Sequence, residues 1–360
     1  MNKTDVLADL PNAHSLVGID ADRGLLPLCS VCIANYNGMA VIDACIRSVM
    51  AQDCAFAVEI VVHDDASTDG SVEHIRQCYP DVTLLANNPN AGFCISNNRM
   101  ADIARGDFLL LLNNDAELLP DALQTLHDYA TGQQTPAILG LPQYDAQSGS
   151  LIDIGSHLDF FLNPIPNLDP GETEIAMVSG ACLWIPRVLW HEFGGFPSWF
   201  GSIAEDTYLC CLARLQGYRV EAVPRSGYRH WVGSSLGGGK VVENKLRSNA
   251  SRRVTSERNK NFVMFMLYPS PAFHLILPVH VMLLLAEGAI LALIKRDFSV
   301  FTAIYLASLR TLWSNRGVLR GERKRLQTTR RVSARRFFSV FRAFPHKFSL
   351  LLSYGIPDIR

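Results

Sequence analysis

Four leucines, Leu109 to Leu112, run directly into Asn113, Asn114 and Asp115. An uninterrupted apolar run of this kind reads as a strand buried on both faces, as in a parallel sheet. Polar groups just past the C-terminal end of such a strand lie where open α/β sheets bind their ligands. A carboxylate beside two amides supplies hard oxygen ligands for a divalent cation. The plainer alternative is a turn built from Asn and Asp. A second apolar run, Ile60-Val61-Val62, ends in the same way, in His63 and then Asp64-Asp65-Ala66-Ser67-Thr68-Asp69-Gly70-Ser71. In a parallel sheet Asp64 and Asp115 would point into one crevice; the alternative for Asp64 is a cap or turn. Farther on, Glu205-Asp206 opens a helical pattern in which Asp206, Leu209, Cys210 and Ala213 share a face. Acids at a helix start also simply suit the macrodipole. His230 precedes a glycine-rich stretch, 233–239, and a lone His serves as a ligand or as a structural side chain.

The elements that must position these groups alternate. Residues 28–34 read as a first strand, followed by a loop Asn35-Tyr36-Asn37-Gly38. Ile42, Cys45, Ile46, Val49 and Met50 then repeat at the spacing of a one-faced helix. Residues 59–63 form a second strand, with Asp69 or Ser71 as cap of a helix over 72–78. A strand at 82–85 leads to Asn87-Asn88-Pro89-Asn90-Ala91-Gly92-Phe93, where Gly92 permits a close backbone approach. A helix over 95–105 carries Asn97 and Asn98. The leucine strand follows, then a helix opened by Pro120-Asp121 and a strand at 137–141. This order predicts an α/β protein with a doubly wound, mostly parallel sheet. Residues 175–185 and 219–223 read as further strands, the first passing the site.

The chain has 360 residues, enough for one large domain and a smaller region. Charged residues are 19% of it, and the mean hydropathy of +0.12 is apolar for a purely soluble enzyme. Nine scattered cysteines without a signal peptide suggest a reducing compartment. Cys29 and Cys32 form a C-x-x-C inside a strand, where residues three apart face opposite sides, so they read as core. The net charge of −1 hides a split. Up to Ile294, 18 Lys/Arg face 31 Asp/Glu, a balance of −13; from Lys295 onward 15 face 3, a balance of +12. A basic tail behind an acidic body suits a polyanionic surface, phospholipid or nucleic acid. Neither G-x-x-x-x-G-K-[ST] nor G-x-G-x-x-G occurs, which argues against kinases, ATPases and dehydrogenases.

Taken in order, Tyr36-Asn37, the Asp-Asp-Ala-Ser-Thr-Asp-Gly-Ser run, Asn-x-Gly-Phe with Asn97-Asn98, and Leu-Leu-Asn-Asn-Asp closely resemble family 2 glycosyltransferases with the GT-A fold. The likeness runs from about Cys29 to about Tyr268 and is greatest to a bacterial branch that includes rhamnosyltransferases of surface-polysaccharide synthesis. The resemblance implies roles. Tyr36, Asn37, Asp64, Gly92, Asn97, Asn114 and Asp115 would bind the nucleotide-sugar donor. Asp64 would hold the nucleobase. Asn114 would face the ribose and Asp115 a divalent metal, Mg²⁺ or Mn²⁺, with His230 as a second ligand. Asn114 stands where the wider family has Asp, a change usual in this branch, and Asn97 where many relatives have Arg. Asp206 matches the carboxylate that takes the acceptor hydroxyl's proton, with Glu205 on the acceptor side. Pro197 replaces a common Asp. Gly237-Gly238-Gly239 would let a loop close over the donor. Arg258-Asn259 matches a recurring pair, although the basic run from Lys240 to Lys260 also reads as a solvated helix face. No Gln-x-x-Arg-Trp is present, so the processive synthases match poorly.

Beyond Tyr268 the character changes. Residues 273–294 are nearly all apolar and long enough to span a bilayer. His274, Pro278, His280 and Glu287 oppose a span. A second amphipathic stretch, from Phe298 to Leu312, leads into Arg316, Arg320, Arg323-Lys324-Arg325, Arg330-Arg331 and Arg335-Arg336, interleaved with Phe337, Phe338 and Phe341. This favours an in-plane or re-entrant helical tail on anionic lipid, with a soluble cap or dimer contact as the alternative. The expected organisation is an extension at 1–27, a GT-A domain at 28–268 and a membrane-associated helical region at 269–360. The expected function is inverting, metal-dependent transfer of a sugar from a UDP- or dTDP-linked donor to a glycan or polyprenyl-linked acceptor, at the cytoplasmic face of a bacterial inner membrane. Asp64, Asp115 and Asp206 would then face a single hollow. The competing expectation is an inactive, membrane-attached nucleotide-sugar or glycan-binding protein. No nucleic-acid motif is present, and none is expected as partner.

Overall fold

The computed structural model describes residues 26–231, 240–242, 245–356 and 358–359. Residues 1–25 and the glycine-rich stretch 233–239 lie outside the described residues, so the expected extension and loop closure are not addressed. In chain order the first half forms β1 (Cys29–Asn35), α1 (Ile42–Met50), β2 (Val58–Asp64), α2 (Ser71–Cys78), β3 (Thr83–Ala86), α3 (Phe93–Ile103), β4 (Phe108–Asn113), β5 (Ala116–Leu118), α4 (Ala122–Thr131), β6 (Ala137–Gly140), β7 (Gln143–Asp145) and β8 (Leu151–Asp153). Then follow β9 (Ser156–Asp159), β10 (Pro164–Pro166), β11 (Cys182–Pro186), α5 (Arg187–Phe193), α6 (Glu205–Leu215), β12 (Arg219–Ala222), β13 (Tyr228–His230), α7 (Ala250–Leu267) and α8 (Ala272–Lys295). The C-terminal part adds α9 (Ala307–Ser314), α10 (Arg316–Thr328), α11 (Ala334–Phe337) and α12 (His346–Tyr354).

The chain divides into two compact units. The first comprises residues up to 156, 166–202 and 218–231. It holds a seven-stranded sheet in the order β12-β6-β11-β4-β1-β2-β3. β1 pairs in parallel with β2 and β4, β2 with β3, and β12 with β6; only β11 runs antiparallel to its neighbours. The expected mostly parallel α/β sheet is therefore present. Its centre is apolar for the reason read from the leucine run: Leu109, Leu110 and Leu111 are fully enclosed, as are Val31, Cys32 and Ile33 beside them. Cys29 and Cys32 are core residues whose thiols burial holds above the ordinary range. A smaller sheet, β5-β13-β7-β8, sits in the same unit.

Two local expectations are corrected. The strand expected over 175–185 is confined to Cys182–Pro186. Before it the backbone leaves the ladder: Ile175 N–H donates to Val220 O, Met177 bridges Ser156, and Cys182 N–H closes a turn onto Ser179 O. Neither Asp69 nor Ser71 caps α2. The preceding residue is Gly70 in the left-handed region (φ 86°). Asp69 instead accepts from Met39 N–H (2.8 Å) and Ser71 N–H (3.1 Å), which ties the loop after β2 to the loop after β1.

The second unit comprises residues 157–165, 203–217 and 232 onward. Helix α8 covers the predicted apolar run and accommodates Pro278 internally. His280 and Glu287 turn inward. Glu287 accepts from Lys347 (2.9 Å), Tyr305 (3.1 Å) and Arg253. Lys347 also donates to buried Glu257 (2.7 Å), which Lys260 meets at 3.0 Å. Lys260 in turn donates to Asn163 (3.0 Å). His280, stacked on Phe161 and 4% exposed, has no partner for Nε2 among the described residues.

The cluster makes the second unit acid-sensitive. Burial holds His280 down at about 4, with Lys260 and Lys347 acting in the same direction and Glu257 and Asp159 opposing. Against their own burial, Lys260 and Lys347 hold Glu257 well below the usual carboxylate range, and Lys347 and Arg253 do so for Glu287. Groups with depressed folded values stabilise above their unfolded values and lose that stability as pH falls. For His280 the window runs from about 6.5 down to about 4 and spans roughly 3 kcal/mol. Denaturant unfolding followed between those pH values is expected to show this loss, and His280→Met to flatten it. An equally steep profile in the variant would remove His280 from the account.

Candidate active site

Strands β1, β2 and β4 end level. Asn35 lies opposite Asp64, and Ala34 opposite Asn113. The polar residue terminating each strand therefore meets its neighbours at the C-terminal edge. Asn35 is the link. Its Nδ2 donates to Asp64 Oδ2 (2.7 Å) and Ser71 Oγ (3.0 Å), and its Oδ1 accepts from Asn114 Nδ2 (2.8 Å). A Cβ on Gly38 would overlap both Asn35 Oδ1 and Asn114 Nδ2, so only glycine leaves room for this junction. Asp64 is buried and accepts in addition from Ser67 N–H (2.9 Å) and Ser67 Oγ (2.7 Å).

The neighbouring loops are fastened in the same manner. Asp65 accepts from Ala91 N–H and Gly92 N–H, both at 2.7 Å, and from Asn87. Gly92, with φ +93°, lies beside Gly201, whose carbonyl accepts from Cys94 N–H (3.0 Å). Asn37, itself left-handed (φ 49°), accepts from Thr68 N–H (2.8 Å) and donates its own N–H to Ser67 (2.8 Å). Tyr36 is exposed. Asn97 is buried and donates back to Phe93 O (2.9 Å) within its own helix.

Asp115 begins the turn from β4 into β5. Antiparallel pairing of β5 with β13 sets His230 opposite Ala116, and Trp231 N–H donates to Asp115 O (3.1 Å). The side chains meet, with His230 Nε2 3.1 Å from Asp115 Oδ1 and Asn113 Nδ2 at 3.5 Å. His230 Nδ1 is buried without a partner among the described residues. Burial raises the carboxyl of nearby Asp153, and His230 opposes that shift. No group of three or more His, Cys, Asp or Glu side chains is placed to hold a metal among the described residues. Asp115 and His230 are thus a pair of candidate ligands from this chain. Neighbouring ligands about 2.1 Å from an octahedral ion stand about 3 Å apart, which the 3.1 Å separation fits.

Glu205 and Asp206 belong to the second unit. They open α6 after two successive left-handed non-glycine residues, Ile203 (φ 70°) and Ala204 (φ 67°). Asn259 Nδ2 holds that turn by donating to Ile203 O (2.7 Å). Asp206 Oδ1 accepts from Thr207 N–H (2.6 Å). Glu205 is buried, and its Oε2 has no partner among the described residues. Burial first, then repulsion from Asp206, pushes its carboxyl up to about 8, with Arg252 opposing. At neutral pH Glu205 therefore holds its proton.

Of the residues read from sequence, the structure brings Asp64 and Asn114 together through Asn35, and Asp115 directly onto His230. Asn97 faces its own helix. Asn35, Asp65 and Gly38 carry structural roles that the sequence reading did not single out. Asn35 shows the signal that marked Asp64, a polar residue ending an apolar run.

Residues 30–186 match the model described as Glycosyl transferase family 2. A Mycobacterium tuberculosis protein described as uncharacterized protein MT1568 is 36% identical over 115 residues, covering 32% of this chain and 35% of that protein. The N-acetylglucosaminyl-diphospho-decaprenol L-rhamnosyltransferase of the same organism is 26% identical over 212 residues, covering 50% of this chain and 68% of the relative. Among solved structures, GalNAc-T7 with UDP, GalNAc and Mn²⁺ superposes with a TM-score of 0.51 at 17% identity, over 67% of this chain and 49% of that one. This last likeness supports the GT-A fold.

Glu205 yields a direct check of its environment. An acid whose folded value is raised leaves stability intact below its unfolded value and loses it as pH rises through the folded one. Between about pH 4.5 and about pH 8 the native protein is expected to lose roughly 3–5 kcal/mol relative to Glu205→Gln, which mimics the neutral acid. Parallel denaturant-stability profiles of the two proteins would show that Glu205 ionises normally.

Proposed function

Because residues 30–186 belong to the family 2 glycosyltransferases, we propose that this protein transfers one sugar, with inversion, from a nucleotide-diphosphate donor to a hydroxyl of a lipid-linked or oligosaccharide acceptor. The observation that carries the reading is the Asp115–His230 contact next to the C-terminal edge of β4. A carboxylate oxygen and an imidazole nitrogen at this spacing suit a Mg²⁺ or Mn²⁺ ion whose remaining positions are left for a diphosphate and water. When bound, such an ion neutralises charge that develops on the leaving nucleoside diphosphate. Asn113 Nδ2 lies 3.5 Å from His230 Nε2, and Asn114, held by Asn35, is assigned to the ribose side.

The nucleoside is assigned to the strand-edge loops that carry Tyr36, Asn37 and Gly92. Asp64 acts there by fixing Asn35 and Ser67, and Asn97 by stabilising the helix behind the loop. Asp206 is assigned as the base that takes the acceptor proton as the hydroxyl attacks the anomeric carbon. Its place in the first turn of α6 favours the ionised form. Glu205, neutral beside it, is assigned to the acceptor as a hydrogen-bond donor, so that two neighbouring acids divide the work. The relative named for transfer to a diphospho-decaprenol substrate supports a polyprenyl-linked acceptor. The apolar α8 supports attachment to a membrane, which we assign to the cytoplasmic face of a bacterial inner membrane.

Asp206→Asn is expected to lower turnover by roughly 10²–10⁴-fold, with nucleotide affinity held within a few-fold. Equal loss of both would make the residue structural. Asp115→Ala should abolish the tightening of nucleotide binding by Mn²⁺ or Mg²⁺ seen with the native protein in calorimetry. An unchanged metal response would remove Asp115 from the metal site. A panel of nucleotide sugars assayed for nucleotide release distinguishes transfer from mere binding; retention of the donor intact across the panel would favour an inactive binding protein.

A further inference from the structure

Helix α8 is arranged opposite to an ordinary surface helix. Its inward face carries His280 and Glu287 together with Leu284, Gly288 and Leu291. Its outward face carries Leu275, Val279, Met282, Leu283, Ile290 and Leu293, which at about 100° per residue fall on one side of the helix as a stripe. Leu275 is 69% exposed, Met282 62% and Leu293 77%. The helix has 24 residues and is therefore about 36 Å long, enough to cross a hydrocarbon core of about 30 Å. A crossing would nonetheless drag Arg253, Glu257, Lys260 and Lys347, which are bonded around its inner face, into the hydrocarbon. Lying in the plane of the interface leaves those charges in the protein and places only the stripe in lipid.

A basic groove of about 760 Å³ opens at the start of this helix. Arg320, Arg323 and Lys324 of α10 line it together with Arg330, Phe273 and His274, and none of its lining residues is acidic. Positions 320, 323 and 324 share one face of α10, while Glu322 pairs with Arg325 on another. Arg323 is a fixed floor. It donates to Phe265 O (2.9 Å), Tyr268 O (2.8 Å) and Ser270 Oγ (3.1 Å), and its guanidinium lies 4.0 Å above the Phe273 ring. Burial, and then the adjacent Arg330, disfavour its charge, and no described residue lining the groove supplies a counterion. His274 directly precedes Leu275, the first residue of the stripe, so the groove adjoins the N-terminal end of the apolar face.

We propose that this groove binds the phosphate of an anionic lipid headgroup, and that the outward face of α8 enters the same leaflet beside it. Lipid is favoured over a soluble anion because the cations adjoin an apolar surface that water would leave uncovered. The proposal does not depend on the transfer reaction.

Flotation of the full-length protein with vesicles of phosphatidylcholine, with and without phosphatidylglycerol, tests it. Binding is expected to require phosphatidylglycerol and to weaken with salt. Arg320→Glu with Lys324→Glu should weaken it roughly tenfold or more, and the Gln pair should weaken it less. Leu275→Glu with Met282→Glu should abolish it. Nucleotide affinity, measured without vesicles, should stay unchanged in every variant, which shows that each still folds and separates this proposal from the glycosyltransferase reading. Native vesicle binding by the charge-reversed pair would overturn the headgroup site, and inorganic phosphate titrating that groove with no lipid dependence would identify a soluble-anion site instead. If the stripe variant changed oligomeric state but still bound vesicles, the face would be a contact between copies and the proposal would fail.

Discussion

A single buried amide, Asn35, holds the strand edge together. It gives both N–H bonds to the β2 side, at Asp64 and Ser71, and takes one from the β4 side, at Asn114. Parallel register makes this feasible, because β1, β2 and β4 terminate at the same height. A buried carboxyl without donors is costly, and Asp64 meets that constraint with donors from Asn35 and Ser67. The consequence is geometric. Loops that would otherwise wander above the sheet are tied to a rigid floor, and the residues after them inherit that rigidity.

His230 reaches Asp115 by another route. Seven-stranded pairing does not place it; the small β5-β13-β7-β8 sheet does. β5 is only three residues long, but its antiparallel pairing with β13 brings a residue more than a hundred positions later in the chain onto the end of the leucine strand. Two side chains make an incomplete shell for a cation. In the proposed reading, the remaining positions of a cation held there would be filled by oxygens of the diphosphate.

Much of this was legible in the residues. Apolar runs ending in Asn and Asp located β1, β2 and β4 and their C-terminal edge, because burial on both faces writes an unbroken pattern. The 175–185 run misled for the same reason. Ile175, Ala176, Met177 and Val178 are buried, yet they are buried by turns and an isolated bridge, and apolar composition alone does not distinguish these from a ladder. Asp69 had the residue type of a cap but was taken by Met39 N–H from another loop, a partner that is distant in sequence. The direction of Asn97, turned onto Phe93 O, is likewise set by packing that no local spacing encodes. For Glu205 the type and place were readable, while its neutrality follows from enclosure by a tertiary environment.

The second unit shows why the charge split along the chain is more than a solubility feature. The five acids and bases gathered at Arg253, Glu257, Lys260, Glu287 and Lys347 satisfy one another on the inner side of α8. Replacing such a cluster by apolar residues can leave a fold equally stable, so its presence argues for specificity of arrangement more than for strength. Here the arrangement fixes the rotation of α8 about its own axis. With Glu287 drawn to Arg253 and Lys347, the opposite stripe has no alternative but to face outward, and a helix whose rotation is set by buried ion pairs cannot roll its leucines into the protein to escape water. The exposed apolar face is thus enforced from within, and the uncompensated arginines of α10 stand beside its first turn.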